Sequence, residues 1–160
     1  MTIHVGERIP AATLKHMTKE GPANITTADL FKGKTVVLFS VPGAFTPTCH
    51  AKHLPGFVNN FAAIKAKGVD TVACIAVNDV FVMDAWGKAS GAGDQILMLA
   101  DGNAEFAKAL GLELDASGFG MGIRGKRFAL VAKDGVVTHL NVEAAGEFRV
   151  STAEYVLGEL

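Results

Sequence analysis

The chain has 160 residues, 49% of them hydrophobic, and its 15 basic and 16 acidic side chains leave a net charge of −1. That length and apolar content suit one domain, residues 1–160, with a core that needs no covalent staples. The near-balance of charge argues against nucleic acid or a membrane surface as partner, since both favour a cationic patch.

In chain order, five apolar runs read as strands: residues 35–39 (TVVLF), 71–77 (TVACIAV), 96–99 (ILML), 128–131 (FALV) and 136–140 (VVTHL). The first four are nearly continuous, the pattern of strands covered on both faces. Lys133-Asp134-Gly135 joins the last two, and Asp-Gly between apolar runs predicts a hairpin. Helical spacing fills the intervals. Leu54, Phe57, Val58, Phe61 and Ile64 predict an amphipathic helix over 49–67 that ends at Gly68, with a kink or interruption at Pro55. Asn78-Asp79 is the predicted cap of a helix over 80–88, Asn103 caps a third that runs to Gly111, and Ser151-Thr-Ala-Glu154 is a capping box for a C-terminal helix. A Gly-rich loop, 117–125, precedes the hairpin. This order predicts an α/β, thioredoxin-like fold: a central, mostly parallel sheet with an antiparallel edge hairpin, and helices on both faces. A flavodoxin-like sheet would need another βα unit where the hairpin stands.

The chain has two cysteines, too few for a disulfide framework, so a reducing compartment is expected. The N-terminus MTIHVGERIP lacks the cationic start and apolar run of a signal peptide, and no apolar run reaches bilayer length. A cytoplasmic protein is the expectation. Cys49 has an unusual setting, VPGAFTPTCH over 41–50. Pro47 suits a first helical position, which makes Thr46 the N-cap and puts Cys49 in the first turn. Free N–H groups and the helix dipole there favour thiolate over thiol. Thr46, three residues earlier, brings a hydroxyl near the sulfur. A buried cysteine is otherwise a small hydrophobe, the plain reading of Cys74 in mid-strand.

Pro42-x-x-x-Thr46-x-x-Cys49 resembles the peroxiredoxin signature. The runs HLPGF (53–57), VNDVFVMDAW (77–86), LADG (99–102), ALGLELD (109–115) and GKRFAL (125–130) resemble the type II, peroxiredoxin-5-like group along nearly the whole chain. The resemblance implies a thiol-dependent peroxidase that reduces hydrogen peroxide and alkyl hydroperoxides, with antioxidant defence as its role and no cofactor. By the same resemblance Cys49 is the peroxidatic nucleophile, Thr46 bonds the peroxide, Pro42 shields the sulfenate, and Arg127 fixes thiolate and peroxide. Arg127 has a physical case as well, because negative charge moves along an S–O–O line and a planar guanidinium stabilises it throughout. Arg124, three residues earlier, is the competing arginine.

The sulfenic acid must then be reduced by another thiol. Plant members of the group carry a second cysteine in a strand like that of Cys74, whereas animal members have one near the C-terminus, where residues 147–151 here have none. An external thiol is therefore expected, either glutathione with glutaredoxin or thioredoxin. The resemblance also implies a homodimer, with Phe45, Phe81, Trp86 and Phe119 as its aromatic candidates.

Rival readings are weaker. Cys49, His50 and His53 resemble metal ligands, but adjacent helical residues diverge by about 100° and no His-x-x-x-His or cysteine pair completes a set. A cysteine hydrolase would need a histidine poised as base, and His50 is too near in sequence. The absence of C-x-x-C argues against a disulfide oxidoreductase. A peroxide sensor using the same thiol is the remaining alternative. His53 reads as a helix-face or pocket-rim group, and His139 as structural.

Overall fold

The computed structural model describes residues 1–160. Its strands are β1 (Thr13–Thr18), β2 (Gly21–Thr26), β3 (Thr35–Ser40), β4 (Thr71–Ala76), β5 (Ile96–Ala100), the short β6 (Glu113–Asp115) and β7 (Ile123–Gly125), β8 (Phe128–Lys133) and β9 (Val136–Val142). The helices are α1 (Thr27–Phe31), α2 (Leu54–Asn59), α3 (Phe61–Ala66), α4 (Val80–Ala89), α5 (Glu105–Leu110) and α6 (Ala153–Glu159). Seven strands form one mixed sheet in the order β2-β1-β5-β4-β3-β8-β9, and β6 pairs with β7 separately. The architecture is the expected thioredoxin-like α/β fold.

Side-chain alternation on the central strands divides the core. Val37, Phe39, Val72 and Cys74 pack under α2, α3, α4 and α6. Val36, Leu38, Ala73 and Ile75 face the opposite layer, with α1 and α5. Two covered faces explain why these strands carry no polar alternation. The sheet is mixed rather than mostly parallel: only β3–β4 and β4–β5 are parallel, and every other ladder is antiparallel. The β8–β9 hairpin turns on Asp134 and Gly135 with φ of 48° and 78°, two left-handed residues that Asp-Gly accommodates well.

Sequence reading missed the β1–β2 hairpin, so the sheet has an antiparallel ribbon at both edges. Its two-residue loop is Lys19-Glu20, and the glycine with positive φ, Gly21 (φ 107°), falls one position after the usual place. Pro22 further disguises β2, which is tolerated because it is an edge strand.

The helix expected over 49–67 is three pieces. Pro47 and Thr48 begin it, a π-helical turn covers Cys49–His53, and α2 and α3 follow with a break at Asn60 (φ −101°, ψ 8°). The interruption is thus at Asn60 rather than Pro55. Pro55 sits in the first turn of α2, where its missing N–H costs little. The wide turn before it is closed by the Leu54 N–H donating to the Cys49 carbonyl.

Two caps also differ. The Asp101 carboxylate accepts from the N–H groups of Phe106 (3.1 Å) and Ala107 (2.9 Å), the role expected of Asn103. Thr152, not Ser151, caps α6 by accepting from the Tyr155 N–H at 3.1 Å. Asp79 caps α4 as expected, accepting from Val82 at 2.8 Å.

Candidate active site

The site lies where β3 ends and the chain turns into the helical segment. Residues 41–46 are held from both sides. Val41 N–H donates to Ile75 O at 3.1 Å, and Ala44 N–H donates to the Asn78 side chain at 2.9 Å. The Thr46 hydroxyl donates to Gly43 O at 2.6 Å, while its carbonyl accepts from His50 N–H at 2.8 Å. Thr46 therefore opens the helix through its backbone and closes the preceding loop through its side chain. A Cβ at Gly43 would be a tight fit, 3.1 Å from the Thr46 methyl and 3.3 Å from Arg124 Nη1. Phe45 takes a left-handed φ of 62°, a strained value for an aromatic residue and a sign that its loop is over-determined.

Cys49 follows, fully buried on the first helical turns. Arg127, between β7 and β8, reaches it: Nη2 donates to Cys49 Sγ at 3.0 Å. Nη1 of the same guanidinium lies 2.9 Å from His53 Nδ1, and His53 Nε2 lies 2.8 Å from Ser151 O. A carbonyl only accepts, so Nε2 carries the proton and Nδ1 turns its lone pair to the arginine. Burial foremost, and then the Arg127 charge, lower the His53 pKa from 6.5 to about 3, against the Ser151 bond that raises it. The imidazole is neutral at ordinary pH. A carboxylate in its place would neutralise the guanidinium, whereas neutral His53 aligns it and leaves its charge for the sulfur.

Aromatic rings wall this network. Phe148 is edge-on to His53 (5.0 Å between centroids) and 5.7 Å from the Arg127 guanidinium carbon. Phe39 lies 4.9 Å from His53 and stacks on Phe57 at 4.0 Å. The segment carrying Phe148 is fastened by Glu143, whose Oε2 accepts from Arg149 N–H and Ser151 N–H (2.8 Å each) and from the Ser151 hydroxyl (2.6 Å). Partial burial raises the Glu143 pKa, but the bonds from Ser151 and Arg149 outweigh it and hold the carboxyl below its usual value.

Of the residues named from sequence, Cys49 and Arg127 are in direct contact. Pro42 lines, with Thr48, Leu114, Arg127 and Phe148, a groove of about 470 Å³ that opens beside them. The Thr46 hydroxyl bonds to the loop and not to the sulfur. Arg124 is bound elsewhere, donating from Nε to Met121 O at 2.9 Å and from Nη1 to Val77 O at 3.1 Å. Cys74 is fully buried in mid-strand opposite Phe39 of β3, and burial, then the nearby Cys49, push its thiol pKa up. His50 accepts from the Trp86 indole N–H at 3.1 Å, and no group of three His, Cys, Asp or Glu side chains is arranged to hold a metal ion.

Sequence reasoning left His53 as a helix-face or pocket-rim group and missed its bonds to Arg127 and Ser151, together with the parts played by Phe148 and Glu143. The run HLPGF offered a signal, since it puts a histidine one turn beyond the cysteine on an otherwise apolar face. Its two hydrogen-bond partners, Arg127 and Ser151, are 74 and 98 positions away and carry no pattern.

A buried sulfur that accepts a hydrogen bond from a fixed guanidinium, at a helix start on a thioredoxin-like fold, is a setting suited to cysteine-centred redox chemistry. Residues 4–157 match the Redoxin family. The chain is 50% identical to the chloroplastic peroxiredoxin-2E-2 of Oryza sativa subsp. japonica, covering 99% of this chain and 73% of that one. It is 45% identical to peroxiredoxin-2B of Arabidopsis thaliana, covering 99% and 98%. A crystal structure of reduced Prx3 from Vibrio vulnificus, in complex with hydrogen peroxide, superposes with a TM-score of 0.96 at 54% identity over 99% of both chains. The chain belongs to the Redoxin family and, within it, to the type II, peroxiredoxin-5-like peroxiredoxins. It is therefore a thiol-dependent peroxidase of the oxidoreductase class. No helix is long and apolar enough to cross a membrane.

Proposed function

We propose that the chain reduces hydrogen peroxide and alkyl hydroperoxides through Cys49 and is returned to the thiol by an external reductant. The observation that carries this reading is the 3.0 Å bond from Arg127 Nη2 to Cys49 Sγ. The thiolate attacks the terminal oxygen of R–O–O–H. An S–O bond forms, the O–O bond breaks, and the departing alkoxide or hydroxide takes a proton to leave as alcohol or water, with Cys49 left as sulfenic acid. Arg127 faces charge that shifts from sulfur to the leaving oxygen, and it stays aligned because His53 holds its other arm. Thr46 donates to Gly43 O, so its hydroxyl presents lone pairs to a peroxide O–H. Pro42, half-buried beside the site, brings no N–H of its own and shields the sulfenate from further oxidation.

Two equivalents of thiol reduce the sulfenic acid, giving water and a disulfide outside this chain. The full burial of Cys74 within β4, and the lack of cysteine in residues 147–151, favour glutathione with glutaredoxin, or thioredoxin, over an internal disulfide. Three exposed aromatics, Phe45 (49% exposed), Phe81 (65%) and Phe119 (86%), support a homodimer, with Trp86 buried and excluded from the contact. Replacing Phe81 and Phe119 by Glu should yield a monomer in sedimentation, and an unchanged mass would remove these residues from the interface.

The test is peroxide consumption by wild type and Cys49→Ser, with glutathione plus glutaredoxin and separately with thioredoxin. Sustained turnover by wild type and none by the variant is expected. Consumption of a single equivalent with every reductant would instead make the protein a peroxide sensor.

A further inference from the structure

Hydrogen peroxide needs little more than Cys49 and Arg127, yet the groove beside them has about 470 Å³, a volume within the range of sites for drug-sized organic molecules. Pro42, Leu114, Ala144, Ala145 and Phe148 form its apolar lining, and Arg127, which reaches Cys49, belongs to the same wall. Its charges are unevenly committed. Glu143 is taken up by Ser151 and the Arg149 N–H, and Glu147 pairs with Arg149 at 3.8 Å. Arg127 is taken up by Cys49 and His53. Lys126 is different. It lines the groove and is exposed, and it pairs with no carboxylate, the ion pairs of the chain being His4–Glu7, Lys88–Asp84 and Arg149–Glu147. Its backbone is nonetheless pinned, since Lys126 N–H donates to Leu112 O at 2.8 Å and Lys126 O accepts from the Ser40 hydroxyl at 2.8 Å.

We infer that this groove selects organic hydroperoxides that carry a carboxylate, with Lys126 as the residue that recognises it. The inference rests on the peroxidase reading of Cys49 and adds a substrate class to it. The apolar body of the substrate lies along Pro42, Leu114 and Phe148, the hydroperoxide points at Cys49, and the carboxylate meets the uncommitted ammonium. The chemistry is unchanged: the S–O bond forms, the O–O bond breaks, and the carboxylate-bearing alkoxide is protonated and leaves as a hydroxy acid. Fatty-acid hydroperoxides and hydroperoxides of amino-acid side chains share this combination of apolar body and carboxylate. Hydrogen peroxide uses none of it.

The test compares cumene hydroperoxide with its para-carboxylate on wild type, Lys126→Gln, Lys126→Glu and Lys126→Arg, with one reductant throughout. The readout is the ratio of kcat/KM between the two substrates on the same enzyme, so any loss common to both cancels. Wild type and Lys126→Arg should favour the carboxylate by about three- to tenfold at low salt, the size of a partly exposed charge pair. Lys126→Gln should bring the ratio to about one and Lys126→Glu below it, and about 0.5 M salt should flatten the wild-type preference. Two further pairs separate the sources: linoleic acid hydroperoxide with its methyl ester, and the hydroperoxide of N-acetylleucine with its methyl ester. The pair with the larger Lys126-dependent ratio identifies the source. A ratio indifferent to residue 126 in all three pairs, with hydrogen peroxide still consumed, overturns the assignment of Lys126. Failure to consume hydrogen peroxide overturns the peroxidase reading itself.

Discussion

The two cysteines of this chain are equally buried, both wholly inaccessible, and belong to the same apolar cluster beneath α2, α3 and α4. Their surroundings differ. Cys74 lies within a strand whose backbone is paired on both sides, with core residues about it and burial pushing its thiol pKa up. Cys49 lies on a π-helical turn at the end of the sheet, with a guanidinium donor 3.0 Å from its sulfur and a groove alongside. Burial alone therefore says little about a cysteine. The donor that meets the sulfur, and the freedom of the backbone that carries it, decide what the thiol does.

The sharpest way to break this comparison is to remove each sulfur in turn. Cys49→Ser should lower peroxide turnover by at least about 10³, since an alcohol at that position is not ionised at neutral pH. A measurable burst of sulfenic acid in that variant, trapped by dimedone and read by mass spectrometry, would move the chemistry to Cys74. Next in size comes the donor. Arg127→Ala should cost at least about 10² to 10³ in kcat/KM, the range for losing one donor to a developing oxyanion. Arg127→Lys should recover only part of that loss, because an ammonium lacks the fork that serves Cys49 and His53 at once. Arg124→Ala is the contrast: its donors go to Met121 O and Val77 O, so its loss should appear in thermal stability more than in the response to peroxide concentration.

His53 sets the third comparison, a buried neutral ring against the charge that it aligns. His53→Leu should reduce kcat/KM by about tenfold through misplacement of Arg127, and His53→Gln, whose amide both accepts and donates, should restore most of it. The pH dependence of stability gives an independent readout. The His53 pKa is about 3 when folded and 6.5 when unfolded, so between those values the unfolded chain binds the extra proton. Its contribution is therefore fully present above about pH 6.5 and is lost as pH falls toward 3, with a slope of up to about 1.4 kcal/mol per pH unit. Urea midpoints at about pH 7 and pH 5 should diverge more for wild type than for His53→Gln, and identical divergence would mean that His53 is not the buried base.

How much of this could be read from sequence follows the range of the interactions involved. The central strands and the Asp134-Gly135 turn were legible because their patterns are local: continuous apolar runs where both faces are covered, and a dipeptide suited to left-handed backbone. The setting of Cys49 was legible for the same reason, with Thr46, Pro47 and Cys49 spaced within one turn. The β1–β2 hairpin was not, since Lys19-Glu20 is an ordinary pair of surface residues and Gly21 sits after the turn. Nor was the break at Asn60, which falls within a run whose apolar spacing continues smoothly across it. Arg127 and Arg124 could be ranked only by resemblance, because Cys49 lies 78 residues from Arg127, and the Val77 carbonyl that helps to hold Arg124 lies 47 residues from it. The bond from His53 to Ser151 O crosses 98 residues and uses a backbone carbonyl, which leaves no trace in residue identity.

Cys74 supplies the smallest expected effect and the last test of the contrast. Serine would bury an unpaired hydroxyl and confuse folding with chemistry, so alanine is the informative change. Cys74→Ala should leave turnover with an external thiol within about twofold, while the small cavity in β4 lowers stability by about 1 to 2 kcal/mol. A large loss of turnover with unchanged formation of the Cys49 sulfenate would assign Cys74 to the reduction half of the cycle. That result would require β4, paired on both sides, to open far enough for the two sulfurs to meet. Faster amide exchange in residues 71–76 of the oxidised wild type would then accompany it, whereas exchange confined to residues 47–59 would keep Cys74 a core residue.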